Sequence, residues 1–144
     1  MTRRNSVALG LHHEKGAKMY TANSIAKKVG TTVRTVQYYD KVGLFSPVDR
    51  TDTGYRLYSD ESVPVLKEIL FYRYLEIPID RIKEIMNCNE SDKREQIIRQ
   101  AEILTGRKAE IDEKVEYANI AGDKGITAAY EMLMKQKEKE KCAK

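Results

Sequence analysis

The sequence predicts a mainly α-helical fold, a winged helix-turn-helix domain followed by a long antiparallel coiled-coil dimerisation helix. Three features predict it: two short helices joined by a tight Gly-Thr turn, a strand–turn–strand pattern after them, and a heptad seam over residues 97–118 further on. We expect a flexible N-terminal arm over 1–18, the winged domain over 19–86, the dimerisation helix over 91–121 and a short tail over 122–144.

The helix-turn-helix is predicted from caps and apolar spacing. Thr21 can cap a first helix, and Gly30 fits the position that ends it. Thr31 and Thr32 then offer the cap of a second helix, which runs from Val33 to about Val42 and is closed by Gly43. The first helix has an inward face at the i, i+3, i+4 and i+7 positions, formed by Ala22, Ile25, Ala26 and Val29.

A β-hairpin, the wing, is predicted after Ser46-Pro47. The strand-like runs Val48–Arg50 and Tyr55–Tyr58 are separated by a Thr-Asp-Thr-Gly turn. Gly54 supplies the unusual backbone angle that such a turn needs.

A pair of helices should follow the wing. Ser59, Asp60 or Ser62 is expected to cap the first of them, and Pro64 in its first turn predicts a late start. Pro78 separates this helix from a short one that carries Ile79, Ile82, Ile85 and Met86.

The heptad seam predicts a homodimer, because nothing else in the chain is left to cover it. A weak amphipathic segment follows at 126–136, and the charged end after it is expected to fray. Apolar residues recur at alternating spacings of four and three, with one lysine among them, and the seam consists of Ile97, Ala101, Leu104, Lys108, Ile111, Val115 and Ala118.

Charge and composition narrow the function classes. Residues 1–59 carry 10 Lys and Arg against 4 Asp and Glu, so an anionic partner would dock there.

No apolar run approaches the roughly 18 residues of a membrane span, and we read no secretory signal, which favours the cytoplasm. Two distant cysteines argue against a disulfide framework or a zinc site, so no metal or cofactor is expected. The absence of a nucleophile–base pair or phosphate loop argues against an enzyme.

One face of the second helix suits contact with double-stranded DNA. Arg34, Tyr38 and Lys41 lie on one stripe, and an arginine can bond a guanine edge or a phosphate. In the wing, strand alternation puts Arg56 and Tyr58 on one side, where Arg56 suits a phosphate contact. A simply solvated face is the alternative for the helix, and packing in the core is the alternative for Tyr55.

Two strings, TTVRTVQYYDKVGLFSP and GYRLYSDESVPVLKEILFYRYLEIPIDRIKEIM, resemble the MerR family of bacterial transcription regulators, closest to its TipA/Mta-like branch. The resemblance covers about residues 20–121. It implies a homodimer on an inverted-repeat operator in promoter DNA, a distorting activator that works with RNA polymerase. The DNA-binding residues that we expect are Thr32, Arg34, Thr35, Gln37, Tyr38, Tyr39, Lys41, Arg50, Gly54, Tyr55, Arg56 and Tyr58.

The sequence also departs from the family pattern. Gln37 stands where an Arg or His is common, Glu76 replaces a usual Gly, and Pro64 is unusual in its helix. Only about 23 residues follow the predicted dimerisation helix, so a C-terminal effector domain is not expected in this chain. Two other functions stay open: a coiled-coil protein-interaction module, and a metal or thiol sensor that acts through Cys88.

Overall fold

The computed structural model describes residues 18–143, so the predicted N-terminal arm lies outside the described residues except for Lys18. The chain divides into two compact units, with the boundary between Lys93 and Arg94. The first contains the predicted winged domain, and the second contains most of the predicted dimerisation helix.

The helix-turn-helix forms as the caps predict. Helix α1 spans Ala22–Val29 and helix α2 spans Val33–Lys41. The Thr21 hydroxyl accepts the Ser24 N–H at 3.0 Å, while the Ser24 hydroxyl accepts the Thr21 N–H at 2.7 Å. Gly30 has φ 87°, the left-handed conformation that lets the chain turn sharply from α1 into α2.

A three-stranded antiparallel sheet holds the wing. Strand β2 is Asp49–Arg50 and strand β3 is Arg56–Ser59, close to the predicted hairpin. The third strand, β1 at Met19–Thr21, pairs with β3 and gives the order β1-β3-β2. The sequence did not predict β1, because three residues are too few to show an alternating pattern.

The next two helices are α3, Ser62–Tyr74, and α4, Ile79–Met86. The expectation of a late start for α3 is wrong: the helix begins at Ser62, and Pro64 is its third residue, where its missing N–H costs nothing. The predicted caps are also wrong. Glu61 occupies the cap position with no side-chain hydrogen bond, and the Ser62 hydroxyl instead accepts the N–H of Ser59 at 3.2 Å.

The core of the first unit lies between the sheet and the helices α1 to α4. Tyr58 of β3 stacks on Phe45, with ring centroids 5.1 Å apart and planes within 6° of parallel. Aliphatic side chains from every helix of this unit complete the core, and the fully buried ones include Ile25, Val36, Leu66, Ile69, Ile77, Ile82 and Ile85. This shared apolar core fixes α2 and the wing relative to each other.

The long helix α5 spans Glu90–Lys124, 35 residues, and therefore extends beyond the predicted 91–121. Gly125, with φ 93°, separates it from helix α6, Ile126–Cys142. The expected frayed end is wrong, since α6 continues through the charged segment as far as Cys142. None of the helices among residues 18–143 is long and apolar enough to cross a membrane.

Candidate nucleic-acid interface

Helix α2 presents a polar face to solvent and an apolar face to the core. Arg34, Gln37 and Lys41 are exposed, and Tyr38 is 49% exposed. Val36, by contrast, is completely buried, so α2 cannot roll without opening the core. The structure thus brings the predicted stripe of Arg34, Tyr38 and Lys41 together on the outer surface.

The start of α2 is fixed by two of the predicted site residues. The Thr32 hydroxyl accepts the Thr35 N–H at 3.1 Å and donates to the Thr35 hydroxyl at 2.9 Å. Thr35 keeps its own hydroxyl hydrogen for another acceptor. The pair therefore stabilises the N-terminus of α2 and leaves a donor at its surface.

The tip of the wing is a tight turn with an exposed aromatic ring. The Thr51 N–H donates to the Tyr55 carbonyl at 2.9 Å, and the Gly54 N–H donates to the Thr51 carbonyl at 2.8 Å. Gly54 has φ 89°, so the positive backbone angle expected there is confirmed. Tyr55 is 70% exposed, and the alternative that it packs in the core is therefore wrong.

Asp40, near the end of α2, joins this helix to the wing. Its Oδ2 atom accepts from Arg56 Nε at 2.6 Å and from Arg50 Nη2 at 2.8 Å. Arg50 and Arg56 are register partners across the hairpin. Partial burial alone would raise the pKa of the Asp40 carboxyl, but the hydrogen bonds and charges of the two arginines outweigh it and hold that pKa below its usual range.

Two tyrosines from the predicted site lie in the core instead. Tyr58 is completely buried, so the expectation that its side chain contacts DNA is wrong. Strand alternation placed it on the same side as Arg56, but that side faces the core, and only the longer arginine reaches the surface. Burial, reinforced by the nearby Asp40 charge, raises the pKa of Tyr58 to about 12.

Tyr39 is 6% exposed and packs beneath the outer face of α2. Burial raises the pKa of its phenol, while the positive charge of the nearby Arg73, a residue of α3, acts in the opposite direction. Arg73 also donates from Nη1 to the Ile77 carbonyl at 2.8 Å. The side chain of Tyr39 therefore lies near Arg73 of α3 and is largely buried, so it packs beneath the outer face of α2, which corrects its place among the expected contacts.

Sequence reasoning missed Asp40 and Arg73. The sequence did contain a signal for Asp40. A carboxylate interacts unfavourably with the negative end of the helix dipole at the C-terminus, which indicates that a positively charged partner compensates for it. Arg73 gave no signal, since its contacts depend on the packing of α3 against α2. A shallow groove of about 370 Å³ runs there, lined by Arg34, Thr35, Tyr38, Tyr39, Arg73 and Ile79.

The seven seam residues all lie on α5. Ile97 and Leu104 are half-buried, whereas Ile111 and Val115 are each 53% exposed. Lys108, the single charged member, forms an ion pair with Asp112 one turn on, at 3.1 Å. An apolar strip along α5 is therefore open to solvent over its second half.

Cys88 follows α4, and its thiol donates to the Glu84 carbonyl at 3.4 Å. Nearby, the Glu68 carboxylate accepts from the Tyr72 hydroxyl at 2.7 Å and pairs with Lys93 at 2.8 Å. Within the described part of the chain, no group of three or more His, Cys, Asp or Glu side chains is placed to hold a metal ion.

Comparison with known proteins gives a consistent picture. The model of the MerR HTH family regulatory protein matches residues 20–88. The HTH-type transcriptional activator TipA of Streptomyces coelicolor is 36% identical over 110 residues, 74% of this chain and 44% of TipA. The chain thus spans less than half the length of that relative.

Two solved structures extend the comparison. The crystal structure of MtaN, the N-terminus of the Bacillus subtilis multidrug transporter activator, matches with a TM-score of 0.64 at 34% identity, over 69% of this chain and 94% of MtaN. HiNmlR, a MerR family regulator lacking the sensor domain and bound to promoter DNA, shares the fold with a TM-score of 0.51 at 22% identity, over 77% of this chain and 99% of that one.

Proposed function

Because the chain belongs to the MerR family of helix-turn-helix regulatory proteins, we propose that it is a sequence-specific DNA-binding transcription regulator. The observation that carries the proposal is the exposed polar face of α2, held beside the arginines of the wing by Asp40. The family's members are regulators rather than enzymes, in agreement with the expectation from the sequence. Because a regulator of promoter DNA must be in the compartment that contains the DNA, we propose that this protein acts in the cytoplasm.

The residues of α2 would read bases and those of the wing would hold the backbone. Arg34 can give two parallel hydrogen bonds to a guanine edge in the major groove, and the Tyr38 ring can contact a thymine methyl. Lys41, Arg50, Arg56 and the exposed Tyr55 suit phosphate and sugar, which position the protein without carrying sequence information. HiNmlR, which has the same fold, is bound to promoter DNA.

DNA selection tests this assignment. Sequences enriched from a random duplex pool should share one motif, and Arg34→Ala should weaken binding to it by about 1–3 kcal/mol if Arg34 reads a base. Lys41→Ala should weaken binding to all duplexes alike and make the salt dependence shallower by about one phosphate contact. Arg94→Ala, which removes an exposed arginine at the start of the second unit, is the matched control and should leave selectivity unchanged.

The opposite result would favour a protein-interaction module. If no motif is enriched, and the three variants and the parent all bind DNA equally weakly at every salt concentration, the helix-turn-helix serves another kind of partner.

We also propose that the protein acts as a homodimer through the seam on α5. Ile111 and Val115 are half exposed on this helix, and burying a large apolar side chain completely is worth about 1.5–3 kcal/mol. A second copy, related by a two-fold axis, would present the same strip and could cover it. Lys108 in the middle of the strip would limit the number of acceptable registers, as polar core residues do in coiled coils.

Sedimentation tests the dimer. The double variant Leu104→Asp/Ile111→Asp should sediment as a monomer with a folded first unit. Ile103→Asp is the matched control: it introduces the same change at an exposed isoleucine of the same helix, about 100° around from Leu104. A double variant that remains dimeric, or a control that dissociates equally, would contradict the seam.

Finally, we propose activation by promoter distortion. Two recognition helices related by a dimer axis need two inverted half-sites, and bending the base pairs between them costs on the order of 1–6 kcal/mol. Phosphate contacts from the wings would offset that cost. The distortion would then allow RNA polymerase to engage both elements of a promoter whose spacer, the DNA between those elements, is too long. The name of TipA, a transcriptional activator, supports an activating role.

The promoter itself provides the test. Shortening its spacer by about two base pairs changes the length and twist of the deformable segment by a small amount. Transcription from the shortened promoter should be strong without the protein and repressed with it. Activation of the shortened promoter would show that distortion is not the mechanism.

A further inference from the structure

Asp40 lies where the local physics of a helix does not favour a carboxylate. It is the last residue but one of α2, and the C-terminus of a helix carries a partial negative charge that repels anions. Its side chain is only 11% exposed. Helix formation alone therefore does not account for an aspartate at this position.

The hairpin of the wing places two positive charges opposite each other. Arg50 and Arg56 are direct register partners on β2 and β3, and like charges facing each other destabilise a hairpin. β2 has only two residues, so few ladder hydrogen bonds are present to counteract the repulsion. A single carboxylate oxygen, Oδ2 of Asp40, accepts from both arginines and relieves it.

The three side chains together keep a net charge of +1 and unused donors. Arg56 is bound through Nε, which leaves both terminal nitrogens, and Arg50 is bound through Nη2, which leaves Nε and Nη1. Arg50 remains 47% exposed and Arg56 28% exposed. Each arginine can thus meet a phosphate while Asp40 still holds it.

We propose that Asp40 is a positioning residue that sets DNA specificity without touching DNA, by fixing the wing arginines to the recognition helix. This role rests on the proposed DNA-binding function. This clamp, formed by Asp40, Arg50 and Arg56, fixes the distance between the backbone contacts of the wing and the base contacts of α2, so only a duplex that satisfies both binds well. It also removes one unit of positive charge, which lowers attraction to any DNA regardless of sequence.

Asp40→Asn is the first test, with two probes: the duplex selected from a random pool and a scrambled duplex of equal length and composition. Preference for the selected duplex should fall about ten-fold, the size of one lost base contact. Affinity for the scrambled duplex should rise, and its salt slope should steepen by about 0.9, as expected for one more phosphate neutralised. A role in folding alone would not steepen that slope.

Two further variants separate charge from geometry. Asp52→Asn removes the same charge from the turn of the same hairpin, and should raise affinity for both probes while leaving their ratio unchanged. Asp40→Glu keeps the charge but lengthens the side chain, so it should retain the parent's salt slope and show a preference between those of the parent and Asp40→Asn. Circular dichroism melts confirm that each variant is folded at the assay temperature.

The outcomes are distinguishable. An unchanged ratio in Asp40→Asn, or an equal loss of preference in Asp52→Asn, overturns the clamp. If Asp40→Asn does not fold, Asp40→Glu decides alone, and a preference equal to the parent's overturns the proposal. A parent protein that selects no sequence would instead refute the proposed function itself.

Discussion

The two units of this chain handle their apolar side chains in opposite ways. Before Arg94, large side chains such as Leu66, Ile69 and Tyr58 are completely buried. From Arg94 onward, Ala129 is the one buried apolar residue among those described, while Ile111 and Val115 stay half exposed and Tyr130 is 60% exposed. The first unit buries its own core, and the second leaves most of its apolar surface uncovered.

This difference separates two sources of stability. A core closed within one chain contributes independently of concentration, whereas a strip that needs a second copy contributes only when that copy is bound. Mutations in the two units should therefore produce different kinds of loss. The following predictions test that contrast, from the largest expected effect to the smallest.

The largest effect is expected from a truncation in the closed core. Leu66→Ala should lower the free energy of unfolding of the first unit by about 2–5 kcal/mol, because it removes apolar contacts and leaves a cavity. The loss should be the same at every protein concentration in denaturant titrations. Ile111→Ala should leave the first unit's transition unchanged and instead weaken association, so its effect should grow on dilution.

The contrast would break down if the concentration dependences were reversed or equal. A concentration-independent loss of several kcal/mol in Ile111→Ala would mean that the second unit covers this side chain within the same chain.

The contrast between the units also explains what the sequence could predict. Caps and spacing predicted α1 and α2, because Thr21, Gly30 and Thr32 act within one or two turns of chain. Contacts between distant segments were not predictable in this way. Whether Tyr58 faces outward, and which residues meet Asp40, depend on how β3 packs on the helices, and alternation along a strand does not say which side faces the core.

The family resemblance supplied part of what local patterns could not. It named the wing arginines as DNA-binding residues, although it did not reveal the carboxylate between them. It also marked Glu76 as a departure, and the structure shows that Glu76 has φ 67°, the conformation for which glycine is suited. Such a departure can be read physically only when the backbone angle is known.

A smaller effect concerns acid. In the first unit, burial favours the neutral forms of Asp40 and Glu68, but hydrogen bonds from arginines and from Lys93 and Tyr72 outweigh it and lower both pKa values. A carboxyl with a lowered pKa stabilises the folded state above its normal pKa, and that stabilisation is lost as the pH falls through the lowered value. The first unit should therefore lose stability between mildly acidic and strongly acidic pH.

Thermal melts at a series of pH values measure this loss. Asp40→Asn and Glu68→Gln should be less stable than the parent near neutral pH, and each should lose less on further acidification. Glu102→Gln, at an exposed carboxyl of α5, is the control and should follow the parent's pH profile. Parallel profiles for all four proteins would mean that neither carboxyl contributes to acid sensitivity.

The smallest effect comes from the helix junctions, where each unit places a residue at positive φ, a glutamate in the first unit and a glycine in the second. The α3–α4 junction uses Glu76 at φ 67°, whereas the α5–α6 junction uses Gly125 at φ 93°. An L side chain held at positive φ costs roughly 1–3 kcal/mol, and a glycine gives back part of that through its freer unfolded chain. Glu76→Gly should consequently stabilise the first unit by up to about 1 kcal/mol. Gly125→Ala should destabilise the α5–α6 junction by a similar amount, since its added Cβ meets no atom within 4 Å and only the backbone angle is strained.

Denaturant melts of both variants against the parent, followed by hydrogen exchange at each junction, should show changes in stability of opposite sign. A loss of stability in Glu76→Gly would mean that the contacts of the glutamate side chain outweigh the strain of its backbone.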